Sequence, residues 1–246
     1  MRYSRFGMVL AVLAVLMLEA LPPALGTGAP RTHLDWASLM VREVRPENTS
    51  YQHKQGHVSW KGIDGATQYE SHTDCSGFLN ALFERAYGFD KQYYQRWLGK
   101  GRPYAITYHD AIASQHGFTR VDRVGDVRPG DIIAIQYPDG SENTGHIMLV
   151  AERPAPRPPS KPVITGTEQW EITIIDSSNS GHGKTDTRRK DDGTFSSGVG
   201  EGVFRLYTGR DGRIAGYTWS TLGASDFYDQ DTRNLVIGRL DPRFKP

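Results

Sequence analysis

Hydrophobic residues between positions 34 and 44 recur at Leu34, Trp36, Leu39, Met40 and Val44, a spacing that places them along one helical face. Asp35 supplies an early-turn acid, and Arg45-Pro46 is the expected stop. Residues 46–73 show no period; rich in Tyr, His, Gln and Gly, they read as an irregular loop of functional length. After Asp74 the pattern turns helical. Phe78, Leu79, Leu82, Phe83 and Ala86 share a face and Gly88 provides a C-terminal stop, which predicts a helix over Cys75–Tyr87. A weaker helix is expected over Tyr108–His116, ended by Gly117.

Downstream the pattern is that of strands. Asp131–Tyr137 is a short buried strand between the Pro129-Gly130 turn and Pro138-Asp139-Gly140, and His146–Val150 is the next. Trp170–Ile175 follows, then Val203–Tyr207 and Ile214–Trp219 on either side of Asp211-Gly212, a hairpin signal, and finally Leu235–Leu240. The Pro-rich stretch 154–162 reads as an extended loop; together with the Gly-rich stretch 193–202 it is a candidate for shaping a substrate cleft. Helices early and antiparallel strands late predict an α+β fold around one shared core.

At 246 residues, 37% hydrophobic and 23% charged, the composition is that of a globular chain. Its first residues run Arg2 and Arg5, apolar Phe6 to Leu18, then Pro22-Pro23 and Ala24-Leu25-Gly26. That is the order of a secretory signal peptide. The expectation is a signal peptide over 1–26 and a single domain over 27–246, secreted or periplasmic, with no stable membrane insertion after the signal is removed. A net charge of +1 without a basic block argues against a nucleic-acid partner. Losing Arg2, Arg5 and Glu19 leaves the chain formally neutral, so recognition is expected from a shaped cleft rather than bulk charge.

The single cysteine excludes an intramolecular disulfide and any multi-Cys metal site. It is either packing material or a nucleophile. Polar Asp74 and Ser76 flank Cys75 at the mouth of the predicted helix, where unpaired N–H groups and partial positive charge favour a thiolate. Its own amide is placed to donate to the oxyanion of a tetrahedral intermediate. A nucleophilic cysteine needs a base, and His146 opens a strand behind a polar turn. Asp176, at the end of the next strand, is the candidate to orient the imidazole.

The Asp74-Cys75-Ser76-Gly77-Phe78 segment, Gly130-Asp131 opening a strand, and Gly145-His146-Ile147 resemble the NlpC-type papain-like cysteine peptidases of bacterial cell walls. The resemblance covers roughly residues 50 to 180. It implies a papain-like fold, with helices carrying the nucleophile packed on an antiparallel sheet, and a peptidoglycan or peptide substrate. Cys75 would attack an amide of a stem peptide, His146 would serve as base then acid, and Asp176 would orient His146. The family's third residue is commonly His, and His182 is the alternative to Asp176. The family's Tyr and Gly-Gly pair upstream of the cysteine are replaced here by His57-Val58-Ser59-Trp60-Lys61-Gly62.

No metal or organic cofactor is required by this chemistry. His53, His57 and His72 read as solvated loop histidines rather than metal ligands, and Lys184, Arg188, Arg189 and Lys190 as a solvated loop face. Tyr93, Tyr94 and Trp97 suit a helix packing face better than a glycan-binding surface. Competing functions are an amidase or acyltransferase on another acyl substrate, and a non-catalytic cell-wall binding module with the same fold.

Overall fold

The computed structural model describes residues 31–246 except 55, 140 and 142; the expected signal peptide lies outside the described residues. The first helix, α1 (His33–Glu43), begins at a capping box in which Thr32 and Asp35 exchange hydrogen bonds. Three short strands follow, β1 (Thr49–Ser50), β2 (His57–Ser59) and β3 (Glu70–His72). They form a small sheet in the order β1-β3-β2. The region expected as a structureless loop therefore has ladder pairing, in segments too short to show a period.

Helix α2 (Cys75–Tyr87) occupies the residues that its hydrophobic spacing predicts, between the Asp74 cap and Gly88 at φ +72°. Next come α3 (Lys91–Leu98) and α4 (Ala105–Ala113), the latter three residues earlier than expected. Tyr94 and Trp97 of α3 are buried against the aromatic cluster around Phe89 and Phe118, so they are packing residues.

The remaining strands are β4 (Phe118–Arg120), β5 (Ile132–Gln136), β6 (Gly145–Val150), β7 (Ala155–Arg157), β8 (Glu168–Ser178), β9 (Gly198–Thr208), β10 (Ile214–Thr218), β11 (Phe227–Asp229) and β12 (Leu235–Leu240). They form one antiparallel sheet in the order β11-β10-β9-β8-β6-β5-β12-β4, with β7 added onto β8. The molecule is thus a mixed α+β protein with few helices and one large antiparallel sheet. Alternate residues of β5 and β6 serve two cores. Ile132, Ala134, Ile147 and Leu149 pack with α1 and α2, while Ile133, Ile135, Met148 and Val150 join Phe204, Leu206 and Tyr217 on the opposite face. Burial on both faces explains why these strands read as continuous apolar runs.

Two expectations about loops are corrected. Gly198–Gly202 of the Gly-rich stretch is strand, paired along β8. The Pro-rich segment is held by the fully buried Arg205, whose guanidinium donates to the carbonyls of Ser160, Lys161 and Leu222. β7 pairs with residues 169–171 of β8, about 20 Å along the strand from Asp176. The segment therefore props the far end of the sheet. No helix among the described residues is long and apolar enough to cross a membrane.

Candidate active site

Cys75 is the first residue of α2, and the turn that presents it is fixed by its neighbours. Asp74 Oδ1 accepts from the Gly77 amide at 2.7 Å, and Arg102 Nη2 donates to both Asp74 carboxylate oxygens at 2.9 Å. Burial would raise the Asp74 pKa, but the Gly77 amide, Arg102 and Ser76 outweigh it and hold the carboxyl below its ordinary range. Gly77 is required here by close approach: a Cβ at this position would lie 2.0 Å from Thr73 Oγ1.

His146 is the second residue of β6, and Asp176 comes from the C-terminal part of β8. The two strands pair only at Leu149–Ile175 and Val150–Ile174, so both residues lie in the unpaired continuation, on one face of the sheet. The structure brings Cys75, His146 and Asp176 together. His146 Nε2 is 2.6 Å from Asp176 Oδ2, and the ring is also hydrogen-bonded to the Cys75 thiol, which leaves Nδ1 as the nitrogen facing sulfur. Burial alone would lower the His146 pKa; the Cys75 thiolate and the hydrogen bonds to Asp176 and Cys75 prevail and push it up to about 10. Such a pair is suited to holding a proton on the imidazole beside a sulfur nucleophile.

His182, the alternative to Asp176, and Arg188 complete the site. His182 does not replace Asp176 but stands behind it, with Nε2 2.9 Å from Asp176 Oδ2. Arg188, expected on a solvated face, is buried: Nη1 meets Asp176 Oδ1 at 2.9 Å and Nη2 meets Asp186 Oδ2 at 2.8 Å. This is a correction with a clear cause. A cation is drawn out of water where acceptors replace its hydration, and here the carboxylates of Asp176 and Asp186 do so. Burial would raise the Asp176 pKa, but Arg188, His182 and His146 together hold it well below the ordinary carboxylate range. The alternation of charge in Lys184–Asp192 is the same whether the run is solvated or folded inward, so composition alone gave no signal.

Trp219 stands edge-on to His146, ring centroids 4.9 Å apart. Tyr51 and Tyr137 flank the thiol. For both, burial is the main cause of a raised phenol pKa; the Cys75 and Asp176 charges add to it, and Arg233 opposes it at Tyr137, which reaches about 12. Of the histidines expected in a loop, His57 lies on β2 and His72 on β3, and all three face acids or hydroxyls: His53 Nδ1 is 3.4 Å from Asp74, His57 Nε2 3.3 Å from Glu70, and His72 Nδ1 2.8 Å from Ser50 Oγ. A groove of about 600 Å³ opens beside the helix mouth, lined by Thr73, Gly77, Asn80, Tyr94 and Arg102.

Over 220 residues the chain is 36% identical to Uncharacterized protein R653 of Acanthamoeba polyphaga mimivirus, a match that takes in 85% of this chain and 96% of the viral one. The chain belongs to the family of that protein. No family model and no solved structure matches it.

Proposed function

We propose that the protein is a cysteine hydrolase of papain-like architecture that cleaves an amide bond, with peptidoglycan stem peptides as the substrate class. The observation that carries this reading is the hydrogen-bonded series Cys75–His146–Asp176 at a helix N-terminus. The NlpC-like order of helix cysteine, strand histidine and next-strand carboxylate supports the substrate class.

In the acylation step the Cys75 sulfur, its proton on His146 Nδ1, attacks the carbonyl carbon. The oxyanion forms beside the Cys75 amide at the start of α2, since the Gly77 and Phe78 amides already donate to Asp74. His146 returns the proton to the departing amine as the C–N bond breaks, leaving a thioester on Cys75. Water then loses a proton to His146 and attacks the thioester, and the carboxylic acid product leaves as the thiol is restored. Asp176 keeps the imidazole in the tautomer and orientation that both steps need.

The test is digestion of purified cell wall and a stem-peptide panel, with products weighed by mass spectrometry. A mass gain of one water at one amide, lost in Cys75→Ala, is the expected result. Digestion by Cys75→Ala as complete as by the native chain would overturn the proposal.

A further inference from the structure

We infer that His182 is a positioning residue that acts as a fixed imidazolium, anchoring Asp176 on one side and the Trp219 backbone on the other, and so holding His146 against Cys75. The inference deepens the hydrolase reading and rests on it for its catalytic meaning, though not for its test.

The geometry leaves the ring little choice. His182 is fully buried, and its Nε2 faces Asp176 Oδ2 at 2.9 Å while its Nδ1 faces the Trp219 carbonyl oxygen at 2.7 Å. A carbonyl and a carboxylate only accept hydrogen bonds, so satisfying both contacts requires a proton on each ring nitrogen. A neutral ring would set one nitrogen lone pair against an oxygen lone pair inside the protein. Around it stand Asp176 from β8, the Phe204 ring from β9 and the Trp219 ring after β10, with Asp186 accepting from the His182 amide at 2.7 Å. Arg188 lies beyond Asp176 and His146 on its other side.

Charge balance agrees. The carboxylates Asp176 and Asp186 are matched by two fixed cations, Arg188 and His182. The Cys75–His146 pair can then exchange its proton internally without changing the net charge of the buried cluster. Buried clusters that stay neutral avoid the largest desolvation cost.

The fold makes room for this arrangement through β9. Gly200 and Gly202 lie on one face, opposite Asp176 and Ile174. A Cβ at Gly200 would sit 2.4 Å from Arg188 Nε, and one at Gly202 would sit 2.4 Å from Asp186 Oδ2 and 2.9 Å from the His182 Cβ. The bare backbone at these positions lets residues 182–188 lie directly on the sheet. That is a physical role for the Gly-rich stretch away from the groove wall. Trp219, tied to His182 through its carbonyl, is thereby fixed with its ring edge against His146.

The test uses the full chain and iodoacetamide, and needs no substrate. His182→Gln keeps an amide donor but carries no charge. Removing a cation from behind Asp176 makes the thiolate harder to form and the His146 proton harder to lose. Both limbs of the Cys75 alkylation–pH profile should therefore move to higher pH, by roughly half a unit to one unit. Limbs unmoved in a variant with native near-ultraviolet circular dichroism would overturn the inference. Should the variant not fold, ring ¹⁵N shifts of native His182 at pH 7.5 decide: imidazolium values support it and neutral-tautomer values overturn it. If the native chain hydrolyses no amide while the limbs still move, the hydrolase reading fails and the inference stands. Hydrolysis with unmoved limbs is the reverse.

Discussion

His146 Nε2 lies 2.6 Å from Asp176 Oδ2, with Asp176 fully buried and His146 nearly so. The same carboxylate oxygen also faces His182, so one oxygen organises two imidazoles. Asp176→Asn removes a charge and an acceptor at once. Its hydrogen bond and charge both raise the His146 pKa, which stands at about 10. The alkaline limb of kcat/KM should therefore move to lower pH, opposite to the effect of His182→Gln. The kcat should fall by at least about 100-fold with little change in KM, read from a pH series on the native substrate.

Arg188→Met leaves Asp176 and Asp186 buried with less compensation. Breaking a buried pair by removing one partner costs about 3 kcal/mol or more, and urea unfolding at pH 7 should show a loss of that size.

Acid unfolding should report Asp176. Its folded pKa is depressed below 3.8, so the unfolded chain takes up protons first as pH falls. The stabilisation is complete above about pH 4 and is lost as pH drops through the depressed value. Asp176→Asn should be less stable than the native chain at pH 7 and show a flatter decline below pH 4. Parallel unfolding curves for the two proteins across that range would contradict this assignment.

Arg205→Met strands the carbonyls of Ser160, Lys161 and Leu222 that the guanidinium now satisfies. Limited proteolysis within 154–162 should become faster. Because this segment lies far along β8 from Asp176, Cys75 alkylation should keep its native pH profile.

Gly202→Ala places a methyl against Asp186 and His182. Overpacking of this kind costs about 1–3 kcal/mol, visible as a lower Tm, and it should disturb the alkylation profile. Gly212→Ala, at a hairpin where the would-be Cβ meets only the Arg123 Cβ at an ordinary contact distance of 4.0 Å, should lower Tm through backbone strain at φ +78° while leaving that profile intact.

Local pattern was enough for the elements that bear Cys75, His146 and Asp176. Helix α2 has a clean 3.6-residue stripe, an Asp cap and a terminal Gly, so its bounds and the place of Cys75 as its first residue were legible from neighbours alone, whereas the burial of the thiol was not. The apolar runs of β5, β6 and β12 were legible for a related reason: burial on both faces leaves few polar residues to blur them. The strands between residues 49 and 72 were not, because two or three residues make less than one full alternation. Helix α3 was given no bounds, although Tyr93, Tyr94 and Trp97 read as a helix packing face; that they pack on Phe89 and Phe118 is a tertiary fact.

By itself the amino-acid sequence determined the α+β order, the helix that presents Cys75, and the strands that bear His146 and Asp176. Each is set by periodicity and capping within about a dozen residues. Only the tertiary structure decided that Arg188 and Asp186 turn inward, that His182 stands behind Asp176 as well as beside it in sequence, and that Gly200 and Gly202 clear the space for them. Those choices depend on charge compensation and steric room between β8, β9 and the loop that joins them, and such energies exist only once distant segments touch.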